Sequence, residues 1–527
     1  GFGIVAAYGN QLNGDQPKFI EEKTPSRGAL GKYEERIYFG ERTTDYSVVG
    51  APAGSTPREF DYPDDQTGDK MTTYTGVGGV AMDGIFKRIA YGLKYRELNF
   101  LLSDAINDKS RLLDYRTPRE RVQRVAPWLV LDGNVYPAVV GGQVLWIVDG
   151  YTTSDAYPYS QVRSLGALTE DSTTDRRSSV QAIKAGQVNY IRNSVKATVN
   201  AYDGSVHLYA WDEKDPLLQA WMNAFPDTVE PMANISGDLM SHLRYPEDLF
   251  KIQRQLLATY HVTDPLSFYG GNDFWEVPAD PTQGVTAGDT PPIQPPYYLS
   301  IAMPKQAAPA FSLTTAYKPT GARENLSGFL AVDSDAGSTA GVKRAGYGKL
   351  RLLELSRATN VKGPGQVQND VSSSNVPMAG GGRGLAEFIN LNKTQGSTVT
   401  LGNLLTLPVG GGLLYVQPIY VQAKTGGSPF PLMRAVVVSF GDKLAWAQTL
   451  DQALDGLFGG DSGAAADPNA KPGGTPTTSP TTPSGTATTT GPTGSPTTGS
   501  TTGPTVAPTG SAAVKAAIAE IDRKSVV

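Results

Sequence analysis

The chain has 527 residues, 39% hydrophobic and 18% charged, and its 46 basic and 51 acidic side chains give a formal charge of -5. That balance excludes a dedicated nucleic-acid binder, which carries a clear basic excess. The absence of cysteine excludes disulfides, thiolate metal sites and a Cys nucleophile, and only His207, His242 and His261 are left for zinc or triad chemistry.

In chain order, residues 1–50 alternate short apolar runs with Gly, Pro and Asn breaks, the pattern of strands and turns. The opening GFGIVAAYGN, without an initiator Met, reads as a cut inside a larger protein. From Ile85 to Ile106 the apolar residues fall at helical spacing, which predicts an amphipathic helix or a pair of them. A second helical stretch is expected up to about Val125. Residues 128–151 return to strand character around Asp132-Gly133-Asn134 and Gly141-Gly142, predicting an antiparallel meander. Residues 165–186 read as a polar loop. Alternating valines around Asp203-Gly204 predict a hairpin. Asp215-Pro216 signals a helix start, and PEDLFKIQRQLLATY predicts another helix. Beyond the Pro-rich 278–296 segment strands dominate, and DKLAWAQTLDQALDGLF reads as a closing helix. Residues 461–511 are almost wholly Thr, Pro, Gly, Ser and Ala, too poor in apolar area to offset the entropy of ordering. Residues 512–527 hold a short helix candidate.

The expected fold class is α+β: mainly antiparallel strands with two inserted helical groups, at 80–125 and 215–262, then a disordered tail. Residues 1–460 form the globular region, and 278–296 is the candidate for an internal boundary.

Several blocks carry a resemblance: RIYFGE, NVYPAVVGGQVLWIVDGYTTSDAYPYSQ, IRNSVKATVNAYDGSVHLYAWDEKDPLLQAWMNAFP, HLRYPEDLFKIQRQLLATYHVTDPLSFYGGNDFWEVP, GNLLTLPVGGGLLYVQPIYVQ and VVVSFGDKLAWAQTLDQAL. In these the chain resembles uncharacterised protein family 0182, large multi-pass membrane proteins of actinobacteria and some other bacteria, from Gly1 to about Phe458. The resemblance implies the later part of an extracytoplasmic region at the plasma membrane, beside a membrane-embedded N-terminal part of the same protein. It implies no activity and no catalytic residue.

No complete catalytic set, cofactor site or metal site is visible. Gly460-Asp461-Ser462-Gly463 has the letters of a serine-protease loop, but no histidine is near it in sequence. Gly76-Val77-Gly78-Gly79-Val80-Ala81 fits a phosphate loop, yet its neighbours favour a tight turn into a helix, with an anion at that helix start as the weaker reading. Arg111, Arg116, Arg119, Arg121 and Arg124 form a basic cluster suited to anionic headgroups or a wall polymer. Interspersed Asp104, Asp108, Asp114 and Glu120 favour an ion-paired solvated face instead. Tyr202, Trp211, Trp221 and Trp275 are candidate ligand aromatics, although aromatics at such spacing more often fill a core.

The reading that follows is a non-enzymatic module that binds an envelope protein, lipid or glycan, with no nucleic-acid partner. Two alternatives stand beside it. One is an envelope hydrolase or transferase using carboxylates such as Asp149, Asp203, Asp212 or Glu213. The other is the gating domain of a transporter.

Overall fold

The structure is a computed structural model that describes residues 1–462 apart from 14–15, 65, 175–182, 184–185, 284–289, 357–359, 395, 425–430 and 461. Except for Ser462, the expected tail and its 512–527 helix lie outside the described residues.

Three five-stranded antiparallel sheets follow one another along the chain. The first joins Val130–Leu131, Tyr136–Val140, Gln143–Ser154, Tyr190–Asn200 and Val206–Ala210. Its first hairpin closes through Gly141 and Gly142, whose φ values of 57° and 75° suit glycine. The Asp203-Gly204 hairpin forms as the alternation predicts, with Val199 opposite Val206.

One face of this sheet packs Val148, Val195, Ala197 and Leu208 against the helices Pro118–Val125 and Pro216–Ala224. The second of these begins where Asp215-Pro216 places it. Asp215 accepts from the Leu217 and Leu218 N–H groups and also from Thr152, Ser194 and Tyr190 hydroxyls at 2.5–2.7 Å. Burial pushes its carboxyl up, but these hydrogen bonds win and hold it below the ordinary value of 3.8. A depressed carboxylate stabilises above its unfolded pKa and loses that contribution as pH falls through the folded one. Asp215→Ala is therefore expected to cost about 2–3 kcal/mol at pH 7, from the lost cap and the orphaned buried hydroxyls. The deficit should shrink on acidification below pH 3.8, measured by denaturant unfolding; a deficit constant with pH would count against it.

The second sheet joins Trp275–Glu276, Tyr297–Ile301, Ala310–Pro319, Gly328–Asp333 and Leu350–Glu354. Between it and the first sheet runs the helix Glu247–Tyr260. Asp248 meets Gly133 on the first side, and Tyr317 donates to the Arg254 carbonyl on the other. The third sheet joins Ser397–Leu401, Leu405–Val409, Gly412–Ala423, Leu432–Phe440 and Lys443–Ala447. Helices Pro364–Ser373 and Leu385–Thr394 cover one face, and Leu450–Phe458 the other.

The α+β class is as expected, with corrections inside it. The helical stretch ending at Val125 is interrupted by a strand, Arg111–Leu113, paired to Ser47–Val49 and Val80–Ala81. Flanking charges hide the two fully buried leucines that anchor it. The closing helix begins only at Leu450, because Lys443–Ala447 turns back to pair with Leu432–Phe440. Helices 364–373 and 385–394 are additional to the two expected groups. In the first only Pro364, Val367 and Val371 are apolar and buried, too sparse a stripe to register as periodicity. A short helix, Leu165–Thr169, opens the expected 165–186 loop.

The Pro-rich 278–296 segment folds back on itself through Ala279 and Ile293. Its buried Gln294 accepts from Arg254 and donates to the Leu404 carbonyl, tying the central helix to the third-sheet region.

Candidate functional site

The densest concentration of charge lies inside the protein. On the central helix Glu247, Lys251, Arg254 and Ala258 occupy one face, and all four are buried. Lys251 Nζ lies 2.8 Å from Asp171, 2.9 Å from Glu247 and 3.6 Å from Asp248. Burial alone would lower its pKa, but the three carboxylates overcome that and raise it. Lys196, fully buried in the first sheet, pairs with Asp149 at 2.5 Å and donates to the Arg244 carbonyl at 2.6 Å. The Arg244 guanidinium lies between the Tyr136 and Tyr298 rings, 3.8 and 4.4 Å from their centroids. Asp132 accepts from the Tyr151 hydroxyl and from the Asp248 N–H at 3.0 Å. Asp248 accepts from the Gly133 N–H at 2.5 Å. Burial raises both carboxyls, with Asp149 adding to Asp132 and Asp132 to Asp248; Asp248 goes well above 3.8.

The acids weighed for hydrolysis have structural partners. Asp149 pairs with Lys196 and Asp212 with Arg192, Asp203 accepts from the Ser205 N–H, and Glu213 accepts from the Met232 N–H. The three histidines stay apart. His207 meets Glu230, His242 caps back to the Asp238 carbonyl, and His261 stacks on Trp275 at 3.5 Å. Among the described residues no group of three or more His, Asp or Glu is placed to hold a metal. Ser462 is buried against Asp455 and Asp451.

The arginine cluster is turned largely onto the protein's own carbonyls and rings. Arg111 donates to the carbonyls of Val77, Gly78 and Gly79, Arg116 to those of Tyr38 and Asp45, and Arg121 to that of Gly204. Arg124 stacks on Tyr115 at 3.3 Å, and Arg119 has a buried Nη2. The Arg111 contacts also explain the glycine loop. A phosphate loop presents N–H groups, whereas three carbonyls here face a cation. Gly78 and Gly79 serve packing, since a Cβ would lie 2.0 Å from the Asp203 carbonyl oxygen or 2.5 Å from that of Leu112.

The candidate aromatics do not converge. Tyr202 packs against Tyr38 and Tyr74. Trp211 is buried under Lys343 and Lys196, 4.3 and 5.3 Å from its ring. Trp275 is buried between His261 and Tyr317. Trp221, 37% exposed, stacks between Trp128 and Phe225.

A departure from ordinary surface lies at 85–102. In the helix Ile85–Tyr95, Ile85, Phe86, Ile89 and Leu93 fall within a sector of roughly 100° and point to solvent. Phe86 is 84% and Leu93 75% exposed. Leu98, Leu101 and Leu102 extend the apolar surface through the next turn, Leu102 at 74% exposure. The opposite face packs Tyr91 and Tyr95 on Tyr46, Phe100, Met82 and Leu112. The amphipathic helix thus exists as predicted, but its aliphatic stripe faces outward.

These features can be set beside known proteins. The model of the uncharacterised protein family UPF0182 matches residues 1–376. The chain belongs to this family. A UPF0182 protein of Kineococcus radiotolerans is 52% identical over 468 residues, covering 87% of this chain and 45% of the relative. Those of Bifidobacterium longum and Paenarthrobacter aurescens are 50% and 52% identical, with 43% and 46% of their lengths covered. The chain spans less than half the length of these relatives. No solved structure matches it.

One site in this UPF0182 chain escaped the sequence reading. Lys343 lines an open cavity of about 480 Å³ with Ser241, Asp335, Thr339 and Arg344. Its ammonium donates to the Trp211 carbonyl at 2.5 Å. Burial draws its pKa down to about 8, the pull of Asp212 not making up the loss and Lys196 adding to it. Nothing local in GSTAGVKRAGYG distinguishes this lysine, because the desolvating ring comes from more than a hundred residues away. A larger share of its amine is uncharged at pH 8 than in an ordinary exposed lysine. It is expected to take up a limiting acylating reagent before exposed Lys214, read by peptide mass mapping; equal or slower labelling would refute this.

Proposed function

We propose that this chain is a docking module, without catalytic work of its own, held on the outer side of the plasma membrane by a larger membrane-anchored protein. The observation that carries the reading is the outward apolar face at 85–102. Contiguous bare apolar surface beyond a few hundred Å² marks an interaction site on a soluble fold. The partners already found by Asp149, Asp203, Asp212 and Glu213 favour binding over carboxylate catalysis. Among the described residues no helix is long and apolar enough to cross a membrane. In this reading the anchor belongs to the length of the relatives that this chain does not span.

The test is purification of the full-length protein from membranes, native and with Phe86→Glu, Leu93→Glu and Leu102→Glu together. These side chains are mostly exposed, so the fold should persist. The substituted protein should lose a component, protein, lipid or glycan, that the native one retains. Identical composition in both preparations would overturn the docking reading. Digestion by protease added to intact cells should reach this region; full protection would overturn its outside placement.

A further inference from the structure

The 85–102 face has a composition and a border that narrow what covers it. Its exposed residues are Ile, Leu and Phe, with no polar side-chain atom in the stripe. Protein-binding surfaces concentrate their energy in Tyr, Trp and Arg. This helix turns its two tyrosines, Tyr91 and Tyr95, inward and offers hydrocarbon outward. At 100° per residue, Lys94 and Lys87 lie about 80° and 100° beyond one edge of the stripe and Arg88 about 60° beyond the other. No acidic residue lies in the helix, and Arg96 follows as its exposed cap. Lys87 reaches Asp83 through an exposed ion pair, which is weak and exchangeable, Arg88 pairs with Asp108 and donates to the Met82 carbonyl, and Lys94 pairs with Asp114, donates to Tyr115 and lies over the Tyr91 and Tyr95 rings. An apolar stripe bordered by cations is the pattern of a helix lying in the plane of a bilayer interface.

We infer that the 85–102 segment seats this chain on a phospholipid surface, with Phe86, Leu93, Leu98 and Leu102 entering the acyl boundary and Lys87, Lys94 and Arg88 meeting anionic headgroups. The inference rests on the docking reading above and names its occupant. The stripe supplies affinity for any fluid bilayer, and the cations supply preference for anionic lipid, screened by salt.

The experiment is co-sedimentation of the 527-residue chain with vesicles of phosphatidylcholine alone and of equal parts phosphatidylcholine and phosphatidylglycerol. Binding should be stronger to the anionic vesicles. The Phe86→Glu, Leu93→Glu, Leu102→Glu protein should lose at least about tenfold in partition to both. Lys87→Gln, which leaves the apolar stripe whole, should lose up to about fivefold on the anionic vesicles alone. Circular dichroism and thermal unfolding matched to the native chain exclude misfolding as the cause. Absence of binding to either vesicle, or equal binding by native and triple variant, overturns the inference. So does a native dimer that the triple variant dissolves without any vesicle binding, since the occupant is then a second copy. In those cases a component lost from the membrane preparation would still support docking; no change in either assay would remove both.

Discussion

Lys251→Ala is expected to lower stability by about 3–5 kcal/mol, the ordinary cost of removing one partner from a buried ion network. The lysine is fully buried and faces Asp171, Glu247 and Asp248. Its removal leaves Asp171 and Glu247 without their shared cation in a low-dielectric interior. It also uncouples the two sides of the network, because Asp171 lies after the first sheet's long strand while Glu247 opens the central helix. The measurement is the urea midpoint at pH 7, or soluble yield if the variant fails to fold. Lys251→Met keeps most of the volume and should lose nearly as much, since the charge is the missing element. A loss below about 1 kcal/mol for both would show that water or neighbouring groups solvate the acids.

Asp248→Asn is expected to act in the opposite sense and to reshape the pH dependence. The enclosed network holds the acids Asp132, Asp149, Asp171, Glu247 and Asp248 against the cations Lys196, Arg244, Lys251 and Arg254. One proton on the Asp132–Asp248 pair balances the charges, and burial of the two acids beside each other raises both carboxyls. A carboxyl raised in the folded state stabilises fully below its unfolded value near 3.8 and loses that contribution as pH rises toward the folded pKa. Through that window the native chain should lose up to about 1.4 kcal/mol per pH unit from this group. The amide cannot ionise and can still accept from the Gly133 N–H. Stability of the native chain relative to Asp248→Asn should therefore fall as pH rises above 3.8, measured by denaturant titration at each pH. A difference that is flat or rises with pH would show that Asp248 is ionised in the folded protein.

Both predictions rest on residues whose type was plain and whose setting was not. The 247–260 helix was readable from its Pro-Glu-Asp start and its spacing. Its charged face, which an isolated amphipathic helix would turn to solvent, is the buried one. The cue was thin: Lys196 in Val195-Lys196-Ala197, and Asp149 beside Val148, are charges set within apolar strand patterns. Such a charge implies an opposite one across the core, but sequence does not say where. The 85–102 stripe failed in the mirror-image way. Its period was legible, and the ordinary assumption for a stripe of Ile, Leu and Phe is a core. The place under the helix is instead filled by Tyr46, Tyr91, Tyr95 and Phe100.

By itself the sequence determined what local chemistry decides. Gly141-Gly142 and Asp203-Gly204 close hairpins, Asp215-Pro216 starts a helix, and alternating valines make strands, because each depends on neighbours a few residues away. The class of the fold followed from those pieces. Only the tertiary structure decided which face of each element is covered. Burial depends on which distant surfaces meet, and Lys251 meets Asp171 across eighty residues as Lys343 meets Trp211 across more than a hundred. A charged helix face becomes interior once opposite charges close on it, and an apolar one stays outside when none of the described residues closes over it.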